Sequence, residues 1–592
     1  MPHKYAMGII GNGSWLALIN NFGNVTWLCW PHFDSSFLFG NLLDHNNGGD
    51  YKIIPQYAII NTSQRYLEDT NILITSIETN NGTFEINDFA PIFYSSSELI
   101  RPHIFIRKIT PIRGDNFIKL QCTPTYQYGK QQYHAVVNEN SIHYYLNDNS
   151  IYIYCNDIQL FNNENSFFAL DKPIYLVMTN EKYHWQNLAF EAEDLFNKTQ
   201  NYWNAWVDNL AIPSTIYKHE VIRSALTLHL HVFNSGATIA AATTSLPEFL
   251  GSTRNWDYRF CWMRDSYYTL LAFDLLNNKE ILQNYAHFLS LINEKYDERW
   301  PPLHTISLDR DPKELELNLP GYLNEKPVRI GNQAFEHIQN DIYGQVITTL
   351  LPYFINNNIP IETRMQFLPL IRNMLNMIQK TMDEPDNGLW EFRGLKQFHC
   401  YTYLFHWAGC KSALKIAEIF DDKTLFNLAT TNLPMAIEKI ERCFDEESGL
   451  YYQAIGSKNL DASLLQLITM HYLKSDNPRA IHLLSTLENK LSAENGLFYR
   501  YLHEDDFGKP DATFLICAFW HVEALAIMKN KDKAIANLNK ILEYSNHLSL
   551  FSEDVHAKTG SQWGNFPQTY SHAGLIQAVN AIHNPNKIPL YL

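Results

Sequence analysis

Residues 187–210, NLAFEAEDLFNKTQNYWNAWVDNL, decide the fold. Apolar side chains recur there at three- and four-residue steps (Leu188, Ala192, Leu195, Phe196, Trp203, Val207), the spacing of one helix face. The chain has a different period on either side of this stretch. Upstream, NILITSIETNNGTFEINDFAP (71–91) reads as a hairpin, with Ile72 to Thr79 and Thr83 to Asn87 joined by a turn at Asn80-Asn81-Gly82. SIHYYLNDNSIYIYCND (141–157) repeats the pattern around Asn147-Asp148-Asn149, and KPIYLVMT (172–179) adds another β-rich run. Many strands joined by Asn/Gly turns predict an antiparallel β-sandwich.

Downstream the period is helical. Twelve segments begin near residues 214, 262, 278, 339, 360, 399, 422, 462, 478, 512, 530 and 567. In antiparallel succession they close into a ring of six pairs, an (α/α)6 barrel, with a helical solenoid as the competing arrangement. The expected organisation is multidomain: an N-terminal antiparallel β-sandwich over 1–185, a helical linker over 186–213 and an all-α (α/α)6 barrel over 214–592.

The chain has 592 residues, 46% hydrophobic and 14% aromatic, enough for a large core and more than one domain. A formal charge of −16 without basic runs argues against nucleic acid or an anionic membrane as partner. The opening MPHKYAMGIIGNG lacks the apolar core of a signal peptide, and no apolar run reaches membrane-spanning length. Eight scattered cysteines in contexts such as WLCW and FLICAFW read as reduced, buried thiols of a cytoplasmic protein, not a disulfide framework or zinc site.

Within the helical half a short motif recurs: DNGLW at 386–390, ESGLY at 447–451 and ENGLF at 494–498, their glycines 61 and then 47 residues apart. Each glycine is expected to supply a positive φ, and each Leu-aromatic step to tuck its loop onto the core. The following residue is Tyr452 or Tyr499 in two copies and Glu391 in the first. A carboxyl group against an indole in a partly closed cavity is desolvated, which raises its pKa toward that of a general acid. Pairing with Arg393, or capping of the next turn, is the alternative role for Glu391.

Other loops are polar in a similar way. RNWDYRFCWMRDSYYTLLAF sets Arg254, Asp257, Arg259, Arg264 and Asp265 among aromatics, either as a clamp for sugar hydroxyls or as a buried ion-pair network. The Gly/Pro-broken LNLPGYLNEKPVRIGNQAFEHIQNDIYGQV is of the kind that shapes a cleft. Glu553 and Asp554 precede the last helix and, taken alone, read more as a solvated turn than as a site. His503-Glu504-Asp505-Asp506 suggests a metal loop but lacks a defined ligand spacing. There is no P-loop, dinucleotide fingerprint, His-Glu-x-x-His or nucleophile elbow.

Four stretches together resemble glycoside hydrolase family 15, the glucoamylase, glucodextranase and trehalase-like enzymes: RFCWMRDSYYTLLAF, NLPGYLNEKPVRIGNQAFEHIQNDIYGQV, DNGLWEFRG and SEDVHAKTGSQWGNFPQTYSHAGLI. GSWLALINNFGNVTWLCWPHFDSSFLFGNLLD (13–44) is similar to the β domain that precedes the barrel in bacterial and archaeal members. The resemblance implies an inverting, exo-acting α-glucosidase that releases terminal α-linked glucose as β-glucose, glucoamylase-like, with α,α-trehalase as the main alternative. A phosphorylase and a non-catalytic carbohydrate-binding barrel are the further rivals. It maps the general acid onto Glu391 and the general base onto Glu553. Trp262, Arg264 and Asp265 hold the terminal glucose, and Leu389, Trp390 and Tyr570 line its pocket. Inversion requires roughly 6.5–9.5 Å between the two carboxyl groups, to admit the water. No metal or organic cofactor has a role, and the partner is an α-glucoside or trehalose. The chain departs from the family pattern at Cys400-Tyr401-Thr402-Tyr403, in place of a Thr-x-Ser-Lys run, and at Asp554 and His556 beside the base.

Overall fold

A computed structural model describes residues 2–161, 166–296 and 298–592. Among the described residues the N-terminal region forms two large antiparallel sheets and two small two-stranded ones. The first has seven strands, beginning with Met7–Gly11, Leu16–Asn20 and Val25–Cys29 and continuing through Asp50–Pro55 to Phe117–Thr123 and Phe168–Ala169, with Phe37–Phe39 paired to the third. The second has eight, and the two predicted hairpins lie in it. Leu73–Thr79 pairs with Gly82–Phe89 across Asn80-Asn81, and Ser141–Leu146 pairs with Asn149–Cys155 across Asn147-Asp148. Asn147 takes the left-handed φ of +52° that such two-residue turns require. Ile174–Thr179, from the KPIYLVMT run, is a fully buried inner strand between Ile104–Gly114 and Asn149–Cys155.

The sheets meet through Trp15 and Tyr51, whose rings lie 5.5 and 5.7 Å from that of Phe105. Arg107 and Asp88 form a fully buried ion pair at 2.7 Å in the same interior. Arg107 also donates to the Tyr51 carbonyl, so its hydrogen bonds offset desolvation and tie one sheet to the other.

The deciding stretch is helix α1 (Leu188–Asp208), capped by the Asn187 side chain. Its first turns pack Leu188, Ala192, Leu195 and Phe196 onto the second sheet, and its later turns place Tyr202, Trp203 and Val207 in the main core. It joins the two regions, as its apolar face requires. The helices that follow are α2 (Lys218–Leu230), α3 (Met263–Leu275), α4 (Glu280–Lys295), α5 (Asp341–Phe354), α6 (Ile361–Met365), α7 (Leu368–Thr381), α8 (Cys400–Phe420), α9 (Lys423–Glu441), α10 (Gln466–Thr469), α11 (Pro478–Leu491), α12 (Leu515–Ile527), α13 (Lys531–Leu542) and α14 (Thr569–His583). All twelve predicted segments are present; α6 and α7 share one, and a 3-10 turn at Ala462–Leu465 opens another before α10.

Burial divides these helices. Every residue of α5 is buried, as is nearly every residue of α12 and α14, whereas α7, α11 and α13 bury one face. The buried set contacts itself in succession: α3 with α5, α5 with α8, α8 with the Ala462–Leu465 turn, that turn and α10 with α12, α12 with α14, and α14 with α3. Helices α4, α7, α9, α11 and α13 each lie against a member of this set. Among the described residues no helix is long and apolar enough to cross a membrane. The eight cysteines are free, and all but Cys122 are buried.

Candidate active site

The loops that precede α3, α5, α8, α12 and α14 meet over one cavity. The N-termini of these helices therefore point toward it, and their positive dipole ends favour carboxylates there. All eight residues nominated from the sequence line this cavity: Trp262, Arg264 and Asp265 at α3, Leu389, Trp390 and Glu391 before α8, Glu553 before α14, and Tyr570 in it.

The three glycines of the repeated motif adopt positive φ as expected, +67°, +68° and +82° at Gly388, Gly449 and Gly496. The first copy then departs from the others in its backbone as well as its sequence. Glu391 itself lies at φ +62°, a region that costs a non-glycine residue energy, whereas Tyr452 and Tyr499 do not. This turn presents the Glu391 carboxylate to three donors that converge on its Oε1: Trp262 Nε1 at 2.8 Å, Arg264 Nη2 at 3.0 Å and Gln339 Nε2 at 3.2 Å. Arg264 is braced in turn by Gln339 Oε1 at 2.7 Å. Among the described residues Oε2 has no hydrogen-bond donor, and the side chain remains 23% exposed.

Two expectations about Glu391 are corrected here. Burial pushes its pKa up, but the Arg264 guanidinium and the bonds from Arg264 and Gln339 outweigh burial and hold it below the ordinary carboxylate value. The indole bonded to Glu391 belongs to Trp262; that of Trp390 donates to Asp461 Oδ2 at 2.7 Å. Arg393 does not pair with Glu391 either, since its guanidinium holds Glu314 at 3.0 Å.

Glu553 accepts from the Tyr258 hydroxyl at Oε1, 2.7 Å, and from the Asn565 backbone N–H at Oε2, 3.4 Å. Burial and the nearby Glu248 carboxylate push it up to about 8. Burial and Glu553 also push Asp554 well above the ordinary carboxylate value; among the described residues its buried Oδ2 has no partner, and it does not line the cavity. The two glutamates are linked by aromatic donors. Tyr258, bonded to Glu553, stands edge-on to Trp262, bonded to Glu391, at 5.5 Å between ring centroids. Asp265 makes no side-chain ion pair or side-chain hydrogen bond among the described residues, and burial raises it to about 7 against the pull of Arg264.

A second charged group lies on the same wall. Glu248 pairs with Arg500 at 3.0 Å, while Arg254 pairs with Asp505 and donates to the Gly508 carbonyl at 2.8 Å. The guanidinium groups of Arg329 and Arg393 lie over the Trp256 ring, 4.6 and 4.7 Å from its centroid, and Phe507 stands edge-on to it. Asp506 accepts from the backbone N–H groups of Arg393 and Gly394 at 2.6 and 2.8 Å, which fastens the Glu391 loop. The stretch that resembled a metal loop thus works as a clasp. Asp257 and Arg259 form a buried pair at 2.7 Å outside the cavity, and Arg259 reaches the Ser35 carbonyl of the N-terminal region. Cys400, Tyr401, Thr402 and Tyr403 do not line the cavity; they are buried at the start of α8, where Thr402 bonds Asp386 at 2.8 Å. His556 lies outside it too, bonded to Thr559.

Sequence reasoning missed Tyr258, Gln339 and Glu248. Tyr258 and Gln339 lie inside stretches already singled out, and Glu248 is a lone carboxylate in the apolar, Pro-containing SLPEFL.

Residues 215–580 match the family model described as glycosyl hydrolases family 15, and residues 4–166 match one described as trehalase-like, N-terminal. A trehalase from Thermoplasma volcanium is 29% identical over 96% of this chain and 92% of its own. A trehalase from Mycobacterium tuberculosis is 27% identical over 95% and 87%. A bacterial glucoamylase, solved in complex with acarbose, superposes with a TM-score of 0.72 at 14% identity, covering 100% of this chain and 96% of that one.

Proposed function

The chain belongs to glycosyl hydrolase family 15 and is a glycoside hydrolase, and from that premise we propose that it hydrolyses α,α-trehalose to glucose with inversion at the attacked carbon. The observation that carries this reading is that Glu391 and Glu553, on loops before different helices, face the same sugar-sized hollow. The trehalase relatives, aligned along nearly the whole chain, favour trehalose over the glucoamylase-like reading, because the likeness to a glucoamylase is one of fold. The closed succession of buried helices supports an (α/α)6 barrel over 214–592, joined through 186–213 to a β-sandwich over 1–185.

In this reading Asp265 and Arg264 hold the hydroxyls of the glucose under attack, with Leu389, Trp390 and Tyr570 as its walls. Glu391 delivers a proton from Oε2 to the bridging oxygen as the bond to C1 lengthens. Glu553, oriented by Tyr258, takes a proton from the water that attacks C1 from the opposite face. The pair must hold one proton, on Glu391. In the sugar-free site that proton favours Glu553, because Arg264 stabilises the Glu391 anion while burial and Glu248 destabilise the Glu553 anion. The productive form is the less populated arrangement of the same one-proton pair. It combines a strong acid with a strong base, and sugar hydroxyls that engage Arg264 shift the balance toward it.

The pH profile follows from the pair. Below the depressed value of Glu391 both groups are protonated and no base remains; above about 8 both are ionised and no acid remains. We expect kcat/KM to hold through neutral pH and fall as pH rises through about 8. Glu248→Gln removes a negative charge facing Glu553 and leaves Arg500 uncompensated. Both changes stabilise the Glu553 anion, so the alkaline limb should move to lower pH. A limb that stays in place, or rises, removes Glu248 from the account.

Glucose release from trehalose, maltose, isomaltose and starch, measured side by side, tests the substrate. Trehalose should be turned over at least tenfold faster than the rest; preference for starch or maltose would favour the glucoamylase-like reading. Proton NMR of the first turnovers on trehalose should show equal α- and β-glucose. One carbon inverts and the other leaves with its configuration kept, whereas retention would give α-glucose alone.

A further inference from the structure

We infer that Tyr5, in the segment leading into the first sheet, is a positioning residue for Glu553, acting through the Gly564–Asn565 peptide group; this rests on Glu553 being the base. The Tyr5 hydroxyl donates to the Gly564 carbonyl at 3.0 Å, and the N–H of the same peptide group, on Asn565, donates to Glu553 Oε2 at 3.4 Å. A peptide group that accepts at one end is a better donor at the other, so the tyrosine strengthens the bond it does not itself make. Glu553 is thus held at both oxygens by a tyrosine, directly at Oε1 by Tyr258 and at one remove at Oε2 by Tyr5.

The contact is tight. A Cβ at Gly564, whose φ is +73°, would fall 2.6 Å from both Cβ and Oε2 of Glu553. The backbone gripped by Tyr5 therefore abuts the carboxylate, and a shift of the one displaces the other.

Residues 3–5 are built to hold that backbone still. His3 is bonded through its backbone to the hairpin formed by Asp554–Val555 and Gln562–Trp563: its carbonyl accepts from Gln562 N–H at 2.8 Å, and its own N–H donates to the Ser561 side-chain Oγ at 3.0 Å. Its ring stacks on Trp563 at 4.7 Å. The Tyr5 N–H donates to Gln562 Oε1 at 3.1 Å, and its ring is 1% exposed against Phe566. Asn546 bonds the carbonyls of Tyr5 and Met7, both at 2.8 Å, which fixes the segment where the strand Met7–Gly11 begins. A part of the chain more than five hundred residues away thus sets the position of one carboxylate.

Tyr5→Phe tests this in the full-length protein, since it removes one hydroxyl and keeps the ring. The expected result is a fall of about tenfold in kcat on trehalose at unchanged KM, with the thermal midpoint within a few degrees of wild type. Misplacement of a reacting group acts on the chemical step and not on sugar binding. His3→Ala, which removes the stack on Trp563, should give the same signature at smaller amplitude. Wild-type kcat in Tyr5→Phe, or a rise in KM that accounts for the whole loss, would overturn the inference. Glu553→Gln separates the two levels: if it stays active the base assignment itself fails, and if it is dead while Tyr5→Phe is normal only the role of Tyr5 fails.

Discussion

Glu391→Gln is expected to lower kcat on trehalose by about 10²–10⁴, the range of a general acid, and to leave α-glucosyl fluoride hydrolysis within a few-fold of wild type. The difference lies in the leaving group. Glucose must depart from C1 with a proton on its oxygen, and the amide has none to give of comparable acidity. Fluoride departs without one. The substitution is mild for the structure, because the Gln carbonyl can still accept from Trp262, Arg264 and Gln339 where Oε1 does now. Folding and glucose affinity should therefore be kept. Wild-type turnover of trehalose by this variant would remove Glu391 from the mechanism. An equal loss on both substrates would give it a role other than proton delivery.

Glu553→Gln should fail on both substrates, again by about 10²–10⁴ in kcat. Attack on C1 needs an activated water whatever leaves, so a good leaving group offers no escape. The pattern across two substrates separates acid from base without any assumption about distance. Stability should hold or rise, since an amide replaces a buried carboxyl group next to Glu248 and Asp554. A variant that keeps hydrolysing α-glucosyl fluoride would place the water-activating group elsewhere.

The halves of the fold were legible because each has a period that local side chains impose: two for the strands, 3.6 for the helices. The twelve helix starts follow from apolar faces and the loop glycines between them. The candidate pair was legible only through motif resemblance, for nothing local connects Glu391 to Glu553. What escaped is what only three dimensions supply. Tyr258 and Glu553 lie 295 positions apart, Arg500 and Glu248 252, and Arg264 and Glu391 127. The ionisation of Glu391 was read with the wrong sign for the same reason. Burial alone raises it, and the guanidinium that reverses the outcome arrives from another helix.

The left-handed backbone at Glu391 has a cost that falls outside the reaction. Conformations of that kind take of order 1–3 kcal/mol from a residue with a side chain and nothing from glycine. With Glu391 as the proposed acid, selection for stability alone would favour glycine at this site, and the sturdier chain would lack its proposed proton donor.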